Sequence, residues 1–376
     1  MSSPDPFPSV TRLAKECGAA WPGYGKAAKA TKGAEDKLRK ALEAGMPDGR
    51  FLDTDSSLVI CGSFARREMT DESDYDWTLL IDGVVNTHHA DFAKDVFNSL
   101  SAAGLVKPGS SGTFGNLVFS HDLVHRIGGG ADSNLNLTRR MLMLLESRPF
   151  YPGGGYSSPH VWNNTMTNIL KRYFEQDVHF STTGKCQVPR FLLNDLTRYW
   201  RTICVDYAAK HREQDGYKWA LRNAKLRLSR KLIYASGLAF CLSCELDPPT
   251  EDSGLFADHF PTDPQAFIAS AMRFAQTPSL EYLAAFVNAF VDDAGKRQRV
   301  ATLIFGSYNE WLLLMADKKA RTSLETLSHE KAKGDVHFEK VRRIGADFAK
   351  GLQLLFFNRE GDEDPIANLS LDYVGF

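Results

Sequence analysis

No run of about 18 apolar residues occurs anywhere in the chain, so no membrane span and no membrane insertion are expected. An excess of one charge is lacking too, since 45 basic residues meet 46 acidic ones. That argues against a protein coating long nucleic acid through a generally basic surface, while leaving room for a local basic groove. Cysteine is sparse: Cys17, Cys61, Cys186, Cys204, Cys241 and Cys244 lie scattered, mostly in apolar surroundings, with no secretory signal before them. The expectation is reduced core thiols in a cytoplasmic protein. Cys241 and Cys244 have CxxC spacing, but they continue an apolar helix and lack a second pair, so packing is expected rather than zinc. No internal repeat is present. With 376 residues the chain can bury a large core and is expected to form two domains.

What is there concentrates in one window, LVICGSFARREMTDESDYDWTLLID, from Leu58 to Asp82. The apolar run Leu58-Val59-Ile60-Cys61 ends in Gly62-Ser63, and Ser73-Asp74-Tyr75-Asp76 opens a second apolar run. Strand side chains alternate faces, so Asp74 and Asp76 share one face two positions apart. Carboxylates placed so close repel unless a cation sits between them, and hard oxygen ligands suit Mg²⁺, with Mn²⁺ as a substitute. Gly62 lets backbone approach a ligand, and Ser63 is expected to cap a helix starting near Phe64. Helix N-termini bind anions, and Arg66 and Arg67 can add charged contacts to phosphate oxygens. The plain alternative is a capped helix followed by an ordinary strand with acidic residues at its start.

This order, G-S and then D-x-D on the next strand, resembles the nucleotidyltransferases of the DNA polymerase beta superfamily. The finer pattern G-S-F-A-R-R-E-M-T-x-x-S-D-Y-D is most similar to the branch holding the PII-modifying uridylyltransferases, which show G-R-x-E-x-x-x-x-S-D-x-D there. The resemblance spans roughly residues 56–150. It implies transfer of a nucleoside monophosphate from a nucleoside triphosphate to a hydroxyl, on two metal ions bridged by Asp74 and Asp76. Gly62 and Ser63 would hold the β- and γ-phosphates.

A third carboxylate usually completes such a site. Asp122 is the only acidic residue in the apolar segment Asn116–His125, read here as a strand, and stands three positions before His125, as an acidic residue does in the uridylyltransferase branch. Asp132 is the runner-up. His121 and His125, four apart on a strand, are widely separated, so packing or substrate contact is expected rather than zinc. Asn136 to Arg148 reads as a helix whose Arg139, Arg140 and Arg148 form a solvated face.

The resulting expectation is an α+β protein. Residues 1–158 form a small mixed sheet with flanking helices as the catalytic domain, 159–357 an all-helical domain, and 358–376 a flexible tail. The Gly- and Pro-rich stretch Pro149–Pro159 marks the boundary, and Pro248–Pro264 is a loop between helical groups. Helical periodicity covers roughly 162–176, 189–211, 216–244, 264–275, 279–316 with a break near Asp292, and 321–357. Near the start, Ala34–Ala44 is expected to be a helix packed on the catalytic sheet. From Lys218 to Lys231 the helix carries six basic residues and no acidic one, with Lys218, Arg222 and Lys225 on one face. Arg222 and Lys225 are therefore candidate triphosphate contacts, the alternative being a solvated face. Asp195 is expected to pair with Arg198 or Arg201.

Unlike the uridylyltransferases, the chain carries no histidine–aspartate hydrolase motif and no regulatory domain, which leaves the acceptor open. One possibility is a nucleotide polymerase making a short single-stranded oligomer as a signal. Another is an enzyme that attaches a nucleotide to a partner protein, and a third is a non-catalytic nucleotide-binding module. The closing residues are apolar and carry Tyr373, four positions from the end. That layout resembles the nucleotidyltransferases of Hailong-type anti-phage defence. It implies dATP as substrate, Tyr373 as priming acceptor and a membrane effector protein as partner; the alternative is that Tyr373 only packs.

Overall fold

The computed structural model describes residues 5–46, 55–105, 114–150, 159–175, 177, 187–213, 216, 218–247, 254–256, 264–358 and 364–374. The fold is α+β, a small mixed sheet within a mostly helical chain. The chain divides into two compact units, Ala27–Gln176 and a second one made of Met1–Lys26 with Asp177–Phe376. Most of the expected boundary Pro149–Pro159 and of the expected loop Pro248–Pro264 lies outside the described residues.

The first unit holds the sheet. Strands β1 (Ser56–Cys61), β2 (Trp77–Ile81), β3 (Leu117–Phe119) and β4 (Ser147–Pro149) lie in the order β3-β2-β1-β4. β1 runs antiparallel to β2, with Ile60 opposite Trp77, and antiparallel to β4, with Cys61 opposite Ser147. β3 runs parallel to β2 and ends with Phe119 opposite Ile81. Continuous apolar strands suit a sheet covered on both sides, and Val59 and Leu80 are as deeply buried as their neighbours Ile60 and Leu79. Leu38 and Leu42 of the helix Pro22–Gly45 join Val96 and Leu100 of the helix His88–Ala102 in the core with Ile60 and Leu79. The helix read over Ala34–Ala44 thus packs on the sheet.

Two expectations in this unit are corrected. The strand expected over Asn116–His125 stops at Phe119, and a short helix, Ser120–Val124, takes over. Ser120 Oγ donates to Asp82 Oδ1 at 2.6 Å, tying the turn to the end of β2. The arginines of the following helix, Asn134–Glu146, are not a solvated face. Arg140 is fully buried, bonded to Tyr173 Oη at 2.7 Å and bidentate to Asp132 at 3.1 and 2.8 Å.

The second unit is helical among its described residues. The break expected near Asp292 exists, with Asp293 capping the helix Ala294–Ala301. Two π-helical turns, Leu226–Arg230 and Thr302–Gly306, interrupt otherwise continuous helices, which periodicity alone does not reveal. The segment read as one helix over 321–357 is two, Lys318–Thr326 and Val336–Phe356, the second capped by Asp335 behind Gly334 at φ 90. Asp195 pairs with Arg198 at 2.7 Å. The helix Pro8–Glu16 belongs to this unit, and its first amides donate to the buried carboxylate of Glu281, Ser9 at 2.9 Å and Val10 at 3.5 Å.

The end of the chain is a docked helix, Pro365–Val374, with Ile366 and Ala367 buried and Asp364 paired to Lys296. The acidic stretch 359–363, read as a linker, lies outside the described residues. Among the described residues no helix is long and apolar enough to cross a membrane.

Candidate active site

The G-S and D-x-D segments meet at one end of the β1–β2 pair. The amide of Cys61 donates to the Asp76 carbonyl at 2.9 Å, extending the ladder one step beyond Trp77 and fixing Asp76 beside the end of β1. Tyr75 is buried while Asp74 and Asp76 are half-buried, which is the alternation expected of an extended segment. Immediately across, Gly62 takes φ +64, and a Cβ built there would stand 2.9 Å from Asp76 Oδ2. Glycine suits this position for two independent reasons: the backbone is left-handed, and any side chain would force the Asp76 carboxylate to move. Burial pushes the Cys61 thiol well up, and the neighbouring Asp76 and Glu146 carboxylates push it further.

The turn after β1 differs in detail from expectation. The helix begins at Gly62 rather than at Phe64, so Cys61 is the N-cap and Ser63 lies inside the first turn. Ser63 keeps a half-buried side chain, and its carbonyl accepts the Glu68 amide at 2.8 Å. Arg66 is not placed to meet phosphate. Its guanidinium is buried between Glu68, at 3.0 Å, and Glu146, so its charge is spent inside the fold. Arg67, the next residue, sits at φ 62, a conformation that non-glycine residues rarely adopt. It is half-buried and close enough to Arg148 for the two charges to oppose each other, while Arg148 itself pairs with Glu35.

The other candidates lie elsewhere. Because β2 and β3 are parallel, Asp122, three residues past Phe119, follows the end of the sheet opposite Asp76. Five residues of β2 separate those two ends, about 16 Å of extended chain. Asp122 is paired with Arg126 at 2.7 Å, and Asp132 is taken by Arg140. Neither joins Asp74 and Asp76, and no group of three His, Cys, Asp or Glu side chains among the described residues could hold a metal ion. His121 and His125, expected far apart on a strand, lie one helical turn apart with ring centroids at 5.1 Å. Arg222, half-buried, and Lys225, exposed, belong to the helix Trp219–Lys225 of the helical unit, and Lys218 is its N-cap at φ 56. Tyr373 donates from its hydroxyl to Glu245 Oε2 at 2.8 Å and lies beneath the Arg190 guanidinium, 5.2 Å from ring centre to charge.

Glu68 and Glu146 were not among the sequence candidates. Arg-x-Glu at 66–68 was visible, but its partner Glu146 is 80 positions from Arg66 and no local pattern announces it.

The donor set at Asp74 and Asp76 is hard oxygen, and beside it Gly62 leaves the Asp76 carboxylate its place. That chemistry fits Mg²⁺. Residues 12–113 match the family described as "Putative nucleotidyltransferase DUF294". No curated protein and no solved structure matches the chain. The matched stretch contains the G-S turn and the D-x-D strand and supports a nucleotidyltransferase-type core in this chain.

Proposed function

We propose that the protein transfers a nucleoside monophosphate from a nucleoside triphosphate to a hydroxyl, releasing pyrophosphate. The observation that carries this reading is the Gly62–Asp76 contact, which joins the end of the G-S strand to the D-x-D carboxylates. Asp74 and Asp76 would hold Mg²⁺, which when bound neutralises phosphate charge and polarises the attacking hydroxyl. Gly62, with its left-handed backbone and no side chain, lets the triphosphate approach the turn closely, and Ser63 offers a hydroxyl there. The buried Arg66 holds that turn through Glu68 and Glu146. Arg67 is the cation of this loop that is not enclosed in the network, and it is the candidate phosphate contact in place of Arg66. Positioning and charge stabilisation supply most of the rate in such chemistry.

The acceptor is a further nucleotide in a short oligomer, serving as a defence signal, or a hydroxyl on a partner protein. Self-priming through Tyr373 belongs to the first of these. The purified chain is incubated with each labelled ribo- and deoxyribonucleoside triphosphate and Mg²⁺. A ladder of products supports oligomer synthesis, and label on an added partner protein supports protein modification. Asp74→Asn and Asp76→Asn abolish either product with the fold intact, since each removes a charge from a repelling pair. Full turnover in either variant, or none in the wild-type chain with any nucleotide and partner, overturns the reading.

A further inference from the structure

The helical unit contains a cavity of about 590 Å³ that the transfer reaction leaves unexplained. Its wall combines the rings of Trp219, Phe338 and His329 with the cations Arg227, Lys333 and Arg342, and among the described residues its lining contains no carboxylate. Aromatic faces beside unbalanced positive charge form the pairing that recognises a base carrying phosphate.

The wall is built rather than accidental. Trp219 is 5 % exposed, and among the described residues its indole N–H has no acceptor. Indole can only donate, and a buried donor without a partner costs about 1–3 kcal/mol unless a ligand or solvent accepts from it. A Cβ on Gly216 would lie 3.6 Å from His211 Cε1 and 4.0 Å from Trp219 Cδ1, so two wall residues crowd this turn. Gly216 at φ 73 and Lys218 at φ 56 both take left-handed backbone to deliver Trp219 there. On the cationic side, Arg227 Nε donates to Asn223 Oδ1 at 2.6 Å while Asn223 Nδ2 donates to Tyr207 Oη at 3.1 Å. That chain fixes the guanidinium through one nitrogen, and among the described residues no ion pair takes its two terminal nitrogens. Arg342 also carries Glu339 at 3.1 Å, so Arg227 and Lys333 are the main phosphate contacts.

We propose that this cavity binds one nucleotide, its base against the Trp219–His329 wall and its phosphate on Arg227 and Lys333. The site is formed by the helical unit alone, so the proposal does not rest on the transfer reaction. The same chemistry is offered by a free nucleoside monophosphate and by the end of a short strand.

The full chain, in EDTA, is photolabelled with 8-azidoadenosine monophosphate, digested and mapped by mass spectrometry. Label falls on peptides containing Trp219 or His329 and is competed by AMP. Arg227→Gln combined with Lys333→Gln, both at exposed positions, lowers that labelling by about tenfold or more through loss of two charge-assisted contacts. Competition by AMP better than by a short oligoadenylate assigns the site to free nucleotide, and the reverse order assigns it to a strand end; either upholds the proposal. Absence of label from both peptides, undiminished label in the double variant, or competition by inorganic phosphate equal to that of AMP overturns it.

Discussion

The Asp76 carboxylate occupies the space where a side chain on residue 62 would be, with Oδ2 only 2.9 Å from an ideal Cβ of Gly62. Glycine there is thus a condition for the carboxylate to stand where it does. Gly62→Ala forces either the backbone out of φ +64 or the carboxylate out of place. It lowers stability by about 1–2 kcal/mol, measured by urea unfolding, from the left-handed backbone alone. Mg²⁺ protection against unfolding and nucleotide transfer both fall with it. A variant with wild-type transfer would mean that the Asp76 position is not used in the reaction.

Asp122 offers a sharp contrast, because the resemblance and the geometry disagree about it. The parallel pairing of β2 and β3 puts it past the opposite end of the sheet from Asp76, in a half-buried pair with Arg126. Asp122→Asn therefore changes transfer by no more than about threefold, the scale of a lost surface ion pair. A loss as deep as that of Asp76→Asn, in a steady-state assay at saturating Mg²⁺, would instead place Asp122 at the metals.

Glu281 gives a pH-dependent prediction. Burial raises its carboxyl from 4.5 to about 7, even though the Ser9 and Val10 groups that donate to it pull the other way. The folded chain thus holds a proton that the unfolded chain releases at lower pH. Stability from this group is complete below about 4.5 and is lost as pH rises through about 7, on the order of 3 kcal/mol in all. Glu281→Gln removes the dependence, so the wild-type melting temperature falls relative to the variant between those limits. A difference that is flat with pH refutes it.

Tyr373 is held by Glu245 and Arg190, and its hydroxyl is raised above the ordinary phenol range, first by burial and then by the Glu245 carboxylate. A docked phenol is a weak nucleophile, so priming requires the helix Pro365–Val374 to release it. Tyr373→Phe costs about 1 kcal/mol of stability through the lost hydrogen bond. If the chain primes on itself, mass analysis after incubation with dATP and Mg²⁺ shows nucleotide additions on the wild-type tail peptide and none in the variant. Wild-type product with an unmodified tail limits Tyr373 to anchoring.

What could be read from the sequence follows the range of the interactions involved. The β1–turn–β2 unit was legible because its residues are neighbours in sequence, and alternation alone sets Asp74 and Asp76 apart from Tyr75. The final helix was only half legible: residues 358–376 read as a flexible tail, although the apolar closing residues allowed docking, and Pro365–Val374 is a helix with Ile366 and Ala367 buried. Asp122 was misplaced because its position depends on where β3 stops and how it pairs with β2, which no local pattern encodes. Arg140 read as surface because its partners Asp132 and Tyr173 come from a loop and a later helix. The π-helical turns left no mark, since the apolar spacing on either side of each is ordinary.

Arg66 shows what such a long-range pairing does. Enclosed by Glu68 and Glu146, it ties the turn after β1 to the end of the helix Asn134–Glu146, which leads directly into β4. The turn is therefore ordered when the chain folds, and no conformational entropy has to be surrendered there when a nucleotide arrives. On the proposed function, an arginine enclosed away from the substrate would favour its binding by holding that turn in place.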